Sequence, residues 1–464
     1  MSDRKSIMSA VLILHKKETF VKGERRAGAG ALWHFAAVSG IIQTSGRGIG
    51  PQNARKAATV LLKKFFKYAM LAAAAVAAFW AANSAMHRAA HSALLDGNLA
   101  KSRLLLRLVV AHEPFFFIHR GVLGKSALMD AFAETDSVLR EKKAWIVETG
   151  APVMTAPAAA DGFVYFGNNK GIKGGTVFKA DAATGKIIWS LRIGGDIETK
   201  PLVVGDRVFV SAHDGLSAID AATGKRLWFH YIRWAESSPA FATGAVFVGA
   251  DKPGALMKID AETGQLIYSV PTSGPVESSP VIHNGKVYMG CNHGYVYCFD
   301  GDTGKEIWRR GLGGSVEAAP LIMGGKVFAG SKSGAFAALD ADTGFEVWRA
   351  ETGAEIWSGA ASDGNAVVFG DNSHTVRALR ADTGETIWTY DAETARFETT
   401  PAVHNGVAYI GCHAGFLHAI RVSDGKLLWR FLTGWDIDDS HPLIYNGLVI
   451  FGSTDGRVYA LKVD

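Results

Sequence analysis

Cysteine is nearly absent from this chain of 464 residues. The three present, Cys291, Cys298 and Cys412, form no CxxC or CxxCH, which excludes a disulfide scaffold, a cysteine-rich zinc site and a c-type haem attachment. Long apolar runs are also missing. The longest, AMLAAAAVAAFWAA at 69–82, falls short of the roughly 20 residues that a spanning helix needs. Positive charge is scarce in the last two-thirds. Residues 144–464 carry 27 Lys and Arg against 35 Asp and Glu, a net −8, whereas residues 1–143 carry 22 against 9, a net +13. Phosphate recognition needs a cationic face, so the acidic part excludes nucleic acid as its partner.

What is abundant is glycine, 53 residues, and tryptophan, 12. They recur together. Thr-Gly-x-x-x-Trp stands at Thr184–Trp189, Thr223–Trp228, Thr303–Trp308, Thr343–Trp348 and Thr383–Trp388, with the variants Thr263–Tyr268 and Asp424–Trp429. The glycines step by 39, 40, 40, 40, 40 and 41 residues. A period of this length marks a repeat architecture, not a globular core.

Within a period the signals are those of four short strands. In the unit from Tyr268 to Lys305, a strand at Val276–Ile282 is followed by a turn at His283-Asn284-Gly285-Lys286. A strand at 287–290, a turn at Asn292-His293-Gly294, a strand at Tyr295–Phe299 and a Thr-Gly turn into a strand ending at Trp308 complete it. Glycine occupies the turns because it accepts positive φ without a Cβ clash. The Asp that opens each Thr-Gly turn (Asp181, Asp220, Asp260, Asp300, Asp340) has the geometry to accept from the turn's own N–H groups. Four antiparallel strands per 40 residues is the signature of a propeller blade.

Trp145 lies 44 residues before Trp189 and opens the series, while three strands follow Trp429 with no fourth behind them. The missing strand is available at 141–148, so eight docking positions (Trp145, Trp189, Trp228, Tyr268, Trp308, Trp348, Trp388 and Trp429) predict eight blades, the last built from both ends of residues 141–464. Such closure leaves no open sheet edge. The expected fold is therefore all-β: an eight-bladed β-propeller of four-stranded antiparallel blades, preceded by a helical N-terminal region with one hydrophobic segment.

The phrase LDADTGFEVW at 339–348 and its relatives resemble the pyrroloquinoline-quinone-type repeat with its tryptophan-docking motif. The resemblance covers about 320 residues and implies the fold rather than the cofactor. The family includes quinone-dependent alcohol dehydrogenases and the non-enzymatic propeller lipoprotein of the outer-membrane barrel assembly machine. The enzymes typically carry an adjacent Cys-Cys pair over the quinone and long loops that build a calcium shell. This sequence has no adjacent cysteines and keeps close to 40 residues per repeat. The expectation is no cofactor, with pyrroloquinoline quinone plus calcium as the alternative. The assembly lipoprotein would need a lipobox Cys after a signal peptide, and no Cys precedes Cys291.

One motif is separate from the docking Trp. Three residues before the Pro of the first strand stand Glu198, Glu236, Glu277, Glu317, Glu398 and Asp439, with Met154 and Trp357 in the other two blades. First strands line a propeller's channel, so these side chains are expected at one height around its mouth. Six carboxylates there would attract a cation or a basic peptide, and Trp357 would add a cation–π contact. The alternative is a purely structural role, each acid bonding a loop or channel water. Cys291 and Cys412, with His293 and His413 nearby, sit three blades apart, too far for one metal site, and read as small packed thiols.

The N-terminal part divides into 1–59, basic and weakly patterned; 60–86, which reads as a signal peptide or an uncleaved signal-anchor behind Lys63, Lys64 and Lys67; and 87–140, which reads as helices at His87–Leu95, Leu99–Val110 and Ser126–Val138 with a faint ankyrin likeness. An initiation at Val60 would make the signal peptide ordinary in length. Either case places the propeller outside the cytoplasm, with membrane contact through 60–86. The function expected is a non-catalytic cell-envelope scaffold, periplasmic or tethered to the inner membrane, that binds a protein or peptide partner. The alternatives are a quinone-dependent oxidoreductase and an extracytoplasmic sensor domain.

Overall fold

The computed structural model describes residue 70 and residues 85–98, 100–102, 104–106, 115–118, 121–171, 174–393 and 395–463. The chain divides into two units, Met1–Ala82 and Asn83–Asp464. The regions 1–59 and 69–82 lie outside the described residues, apart from Met70. Among the described residues no helix is long and apolar enough to cross a membrane.

The second unit contains eight four-stranded antiparallel sheets. Seven are consecutive in sequence, from Ala158–Arg192 (blade 1) to Ala402–Leu432 (blade 7). Blade 8 takes three strands from Leu443–Lys462 and its outer strand from Lys143–Glu148, with Trp145 opposite Ala460 and Glu148 opposite Arg457. The closing strand begins at Lys143, because residues 141 and 142 still belong to the Lys125–Lys142 helix.

The first strands are shorter than the sequence implies. In blade 4 the strand is Val281–His283, not Val276–Ile282. Proline marks the limit in seven blades: Pro157, Pro201, Pro239, Pro280, Pro320, Pro401 and Pro442 each immediately precede a first strand, while in blade 6 Ala360 holds that place. Proline has no N–H to give to the ladder, so pairing starts one residue later. The acids three residues before it therefore sit in the loop leading into the blade.

The docking tryptophans work between blades. Trp308 donates its indole N–H to Ala341 O at 3.1 Å, and its ring lies 2.6 Å from where a Cβ on Gly344 would be. That glycine, at φ +70, thus gives both the turn and the face on which the ring rests. The same pairing joins Trp145 to Ala182 and Gly185, Trp189 to Ala221 and Gly224, Trp228 to Ala261 and Gly264, Trp348 to Ala381 and Gly384, and Trp388 to Val422 and Gly425. Tyr268 substitutes its hydroxyl, bonded to Gly301 O. Trp429 departs from the pattern because the turn it should meet is replaced by the end of the helix, whose Lys142 Nζ lies 5.5 Å over the indole. The Asp residues of the turns accept from the Thr three residues on, as at Asp300 (N–H 2.8 Å, hydroxyl 2.7 Å), which holds their carboxyls below the usual range.

The region before the propeller is not wholly helical. Residues 85–95 and Lys125–Lys142 are helices, but Phe115–Ile118 pairs with Gly121–Gly124 as a hairpin. The Lys125–Lys142 helix lies on the outer strand of blade 7. Thr135 Oγ1 accepts from Leu432 N–H at 2.9 Å and Glu134 pairs with Arg430 at 2.5 Å. Ala90, Leu94, Leu106, Leu128 and Phe132 join a buried cluster with Phe397, Phe416 and Leu432 of the propeller. Outer strands elsewhere leave apolar side chains in solvent, such as Ile188 and Leu227. Here Leu432 is buried and Leu427 partly buried, so the helix covers apolar surface of this outer strand.

Candidate binding site at the channel mouth

The first strands of successive blades meet around the axis, for example Ala158–Ala160 with Leu202–Val204 and Val281–His283 with Leu321–Met323. Two devices lock the loops leading into the first strands, and blades 4 and 7 have both; blade 5 has Ala318 at the hydroxyl position, and the loop into blade 3 meets Ser211 where the preceding blade would have glycine. The apolar residue of the loop, Val276 or Val316 for instance, packs on a glycine of the preceding blade, where a Cβ on Gly249 or Gly290 would meet it at 2.3 Å. The hydroxyl two residues on, Ser278 or Thr399, accepts from the N–H of Gly290 or Gly411 at 2.9 Å. Where both anchors are present, as around Glu277 and Glu398, the acid sits between them and its height is fixed.

Five of these positions face the residue fifteen places later in sequence, in the turn between the second and third strands: Met154 faces Asn169, Glu198 His213, Glu277 Asn292, Glu317 Lys332 and Glu398 His413. His213 Nε2 lies 3.5 Å from both Glu198 and Glu236, bridging two blades. Asn292 donates to Glu277, and Lys332 pairs with Glu317 at 2.6 Å. Lys332 Nζ also stands 3.3 Å above the Trp357 ring, so the cation–π position expected for a partner is filled by the chain's own lysine. Trp357 donates its N–H to Glu355.

Blade 8 differs. Between its apolar anchor Ile437 and its hydroxyl anchor Ser440 lie two residues, Asp438 and Asp439, where the other blades have one. The expected Asp439 is half-buried in the ring, and Asp438 is the carboxylate that reaches His413 Nε2, at 3.1 Å. Glu398 is 8% exposed, 2.7 Å from the same Nε2 and 3.3 Å from Arg396.

The electrostatics run round the ring from acid to acid. Burial, then neighbouring Glu277, pushes the Glu236 carboxyl up to about 7 against the partial relief of His213. Burial and Glu317 raise Glu277, with Asn292 opposing. Burial, Asp438, Glu198 and Glu398 raise Asp439 well above its usual range. Burial works to lower His413, but Asp438 and Glu398 outweigh it and hold the imidazole at about 10. The three cysteines are buried and unpaired with one another; Cys412 lies 3.6 Å from His418 Nε2, and burial pushes its thiol up to about 12.

Glu236→Gln is expected to stabilise the protein by on the order of 1 kcal/mol at pH 8, after allowance for solvent screening, and to change little at pH 4. Between the ordinary value of 4.5 and about 7 the folded chain holds a proton on Glu236 that the unfolded chain has released. Stability contributed by this group therefore falls as pH rises through that window. Urea midpoints at pH 4, 6 and 8 measure it; a variant less stable than the parent at pH 8 would contradict the assignment.

The sequence model for the family described as outer membrane protein assembly factor BamB matches residues 137–234, 216–291 and 292–464, which is the whole propeller. The chain belongs to this family. Curated relatives include the assembly factor of Yersinia pestis, 26% identical over 169 residues (32% of this chain, 42% of that protein), and that of Shewanella oneidensis, 28% identical over 157 residues (30% and 38%). A tetrathionate hydrolase of Acidithiobacillus ferrooxidans is 25% identical over 174 residues, 31% of this chain and 34% of that protein. The matches thus span less than half the length of these curated relatives. Among solved structures, BamB from Moraxella catarrhalis superposes with a TM-score of 0.60 at 19% identity over 69% of this chain and 97% of that one. The computationally designed Ika8 protein superposes with 0.61 at 20% identity, over 69% and 100%. At these identities the structural likeness shows the fold alone.

Proposed function

We propose that this propeller is a non-catalytic scaffold of the cell envelope that captures a protein or peptide partner at the acidic channel mouth. The observation that carries the reading is the run of carboxylates Glu398, Asp438, Asp439, Glu198, Glu236, Glu277 and Glu317, close enough that their neighbours raise the proton affinity of Glu236, Glu277 and Asp439. Folding holds these charges together against repulsion, and a cationic partner relieves it. Membership of a family described by an outer-membrane assembly factor supports an envelope location and a protein partner. The mouth lacks paired cysteines, and its acids are engaged with His213, Asn292, Lys332 and His413, an arrangement suited to holding a basic loop rather than to quinone chemistry.

The test uses unstructured peptides of equal length, one Arg- and Lys-rich and one Asp- and Glu-rich. The basic peptide is expected to bind, with an association rate that falls steeply as salt rises from 20 to 300 mM, because steering at a charged rim acts mainly on the on-rate. Equal binding of the acidic peptide, or binding indifferent to salt, would overturn the reading.

A further inference from the structure

One corner of the mouth is built differently from the rest. Glu398 from the loop into blade 7, His413 from the turn of blade 7 and Asp438 from the loop into blade 8 bring three ligand atoms within 4.8 Å of one another. His413 Nε2 lies 2.7 Å from Glu398 Oε2 and 3.1 Å from Asp438 Oδ1. This nitrogen is buried, and at these distances it is held by charge attraction to both carboxylates, neither of which lies in line with the ring N–H. The His413 side chain is 10% exposed and that of Glu398 8%. Two carboxylates facing one buried imidazole nitrogen at these distances make a place that a proton or a metal ion can fill.

We infer that Glu398, His413 and Asp438 form a site for a divalent transition-metal ion that ties blade 7 to blade 8. One imidazole and two carboxylates are a donor set for Zn²⁺ and its neighbours; Ca²⁺ and Mg²⁺ prefer oxygen throughout. Ligand atoms 2.0–2.2 Å from a tetrahedral ion lie about 3.4 Å apart, so the two distances at His413 Nε2 need to open by well under 1 Å. Arg396 takes Glu398 Oε1 at 3.3 Å and leaves Oε2 to the ion. Asp436 Oδ2 lies 3.8 Å from the other imidazole nitrogen, Nδ1, where a carboxylate orients a metal-bound histidine. Asp438 is the least buried of the three, its side chain 22% exposed, so a further coordination position opens toward the channel. The inference stands on the fold and does not depend on capture of a peptide.

Untagged full-length protein, stripped with chelator and dialysed, is titrated with Zn²⁺ alone and, separately, with Co²⁺. One ion per chain is expected, with visible Co²⁺ absorption of a nitrogen–oxygen site and a melting temperature that rises on zinc addition. Asp438→Asn, an isosteric change at a half-buried position, is expected to fold, to melt lower without metal because His413 loses an ion-pair partner, and to weaken binding at least tenfold. His413→Ala should abolish the Co²⁺ bands, and Asp436→Asn should weaken binding about tenfold by loosening the imidazole. Absence of zinc uptake, or uptake that survives Asp438→Asn undiminished, would overturn the site. Because no peptide is present, these outcomes are separate from those that test the acidic mouth.

Discussion

Deleting residues 143–148 is expected to abolish the native ring, leaving a protein that aggregates or elutes as large species. Three losses coincide. The strand Arg457–Lys462 loses its antiparallel partner and becomes an exposed, largely apolar edge, with Val458, Tyr459, Ala460 and Leu461 all buried in the intact ring. Trp145, 5% exposed, takes with it the contact to Gly185 and the bond to Ala182 O at 2.9 Å, a side-chain loss of about 3–5 kcal/mol by itself. The Glu148–Arg457 pair at 2.7 Å goes too. Together these approach the roughly 5–15 kcal/mol that holds a typical domain folded. Trp145→Ala, which keeps the strand, should fold and melt lower. A synthetic peptide covering 141–150, added during refolding, should restore monomers. Size-exclusion chromatography and thermal melts read all three. A deletion variant that stays monomeric with an unchanged melting temperature would show that blade 8 closes without this strand.

That closure was legible in the sequence because the repeat is numerical: eight docking positions and a C-terminus one strand short leave one arrangement. The docking itself was legible for the same reason, since Trp and Gly recur at fixed offsets and each needs the other. Strand limits were less so. The apolar residue and the acid before each proline look like strand in one dimension, yet the missing proline N–H moves the first ladder bond beyond them. The N-terminal contact with blade 7 left no signal, since Glu134, Thr135 and Phe132 on one side and Arg430 and Leu432 on the other are ordinary residues far apart in sequence.

The mouth was half legible. The acids share an offset from proline and so announce themselves. Their partners His213, Asn292, Lys332 and His413 share an offset of fifteen residues but not a residue type, so no composition pattern points to them. The extra residue in blade 8 hides Asp438 behind Asp439 when offsets are counted from Pro442; counting from Ile437, the residue that packs on Gly411, places Asp438 in line with Glu398 and Glu277. Trp357 was legible as an aromatic in an acidic ring, but not as one already covered by Lys332.

Replacing Glu198, Glu236 and Glu277 together by Gln is expected to leave the propeller folded while reducing capture of a basic peptide by one to two orders of magnitude at low salt. These three occupy consecutive blades and are clear of the Glu398–His413–Asp438 corner, so loss of capture would not be confused with loss of an ion. Their backbone is held by Ile197, Ala235 and Val276, all buried, and by Ser237 and Ser278, whose bonds to Gly249 and Gly290 the substitutions do not touch. Gln keeps the size of Glu and can still bond Asn292 and His213. Burial and mutual repulsion already disfavour the charges at Glu236 and Glu277, so the triple variant should match or exceed the parent in urea at pH 8. The reduction should lie mainly in the association rate, since long-range attraction scales with the charge of the rim while short contacts set dissociation. It should also shrink as salt rises and screening removes the advantage of the parent. Stopped-flow association at several ionic strengths measures this directly. A triple variant that captures the basic peptide as fast as the parent at low salt would show that the carboxylates serve the loops and not a partner.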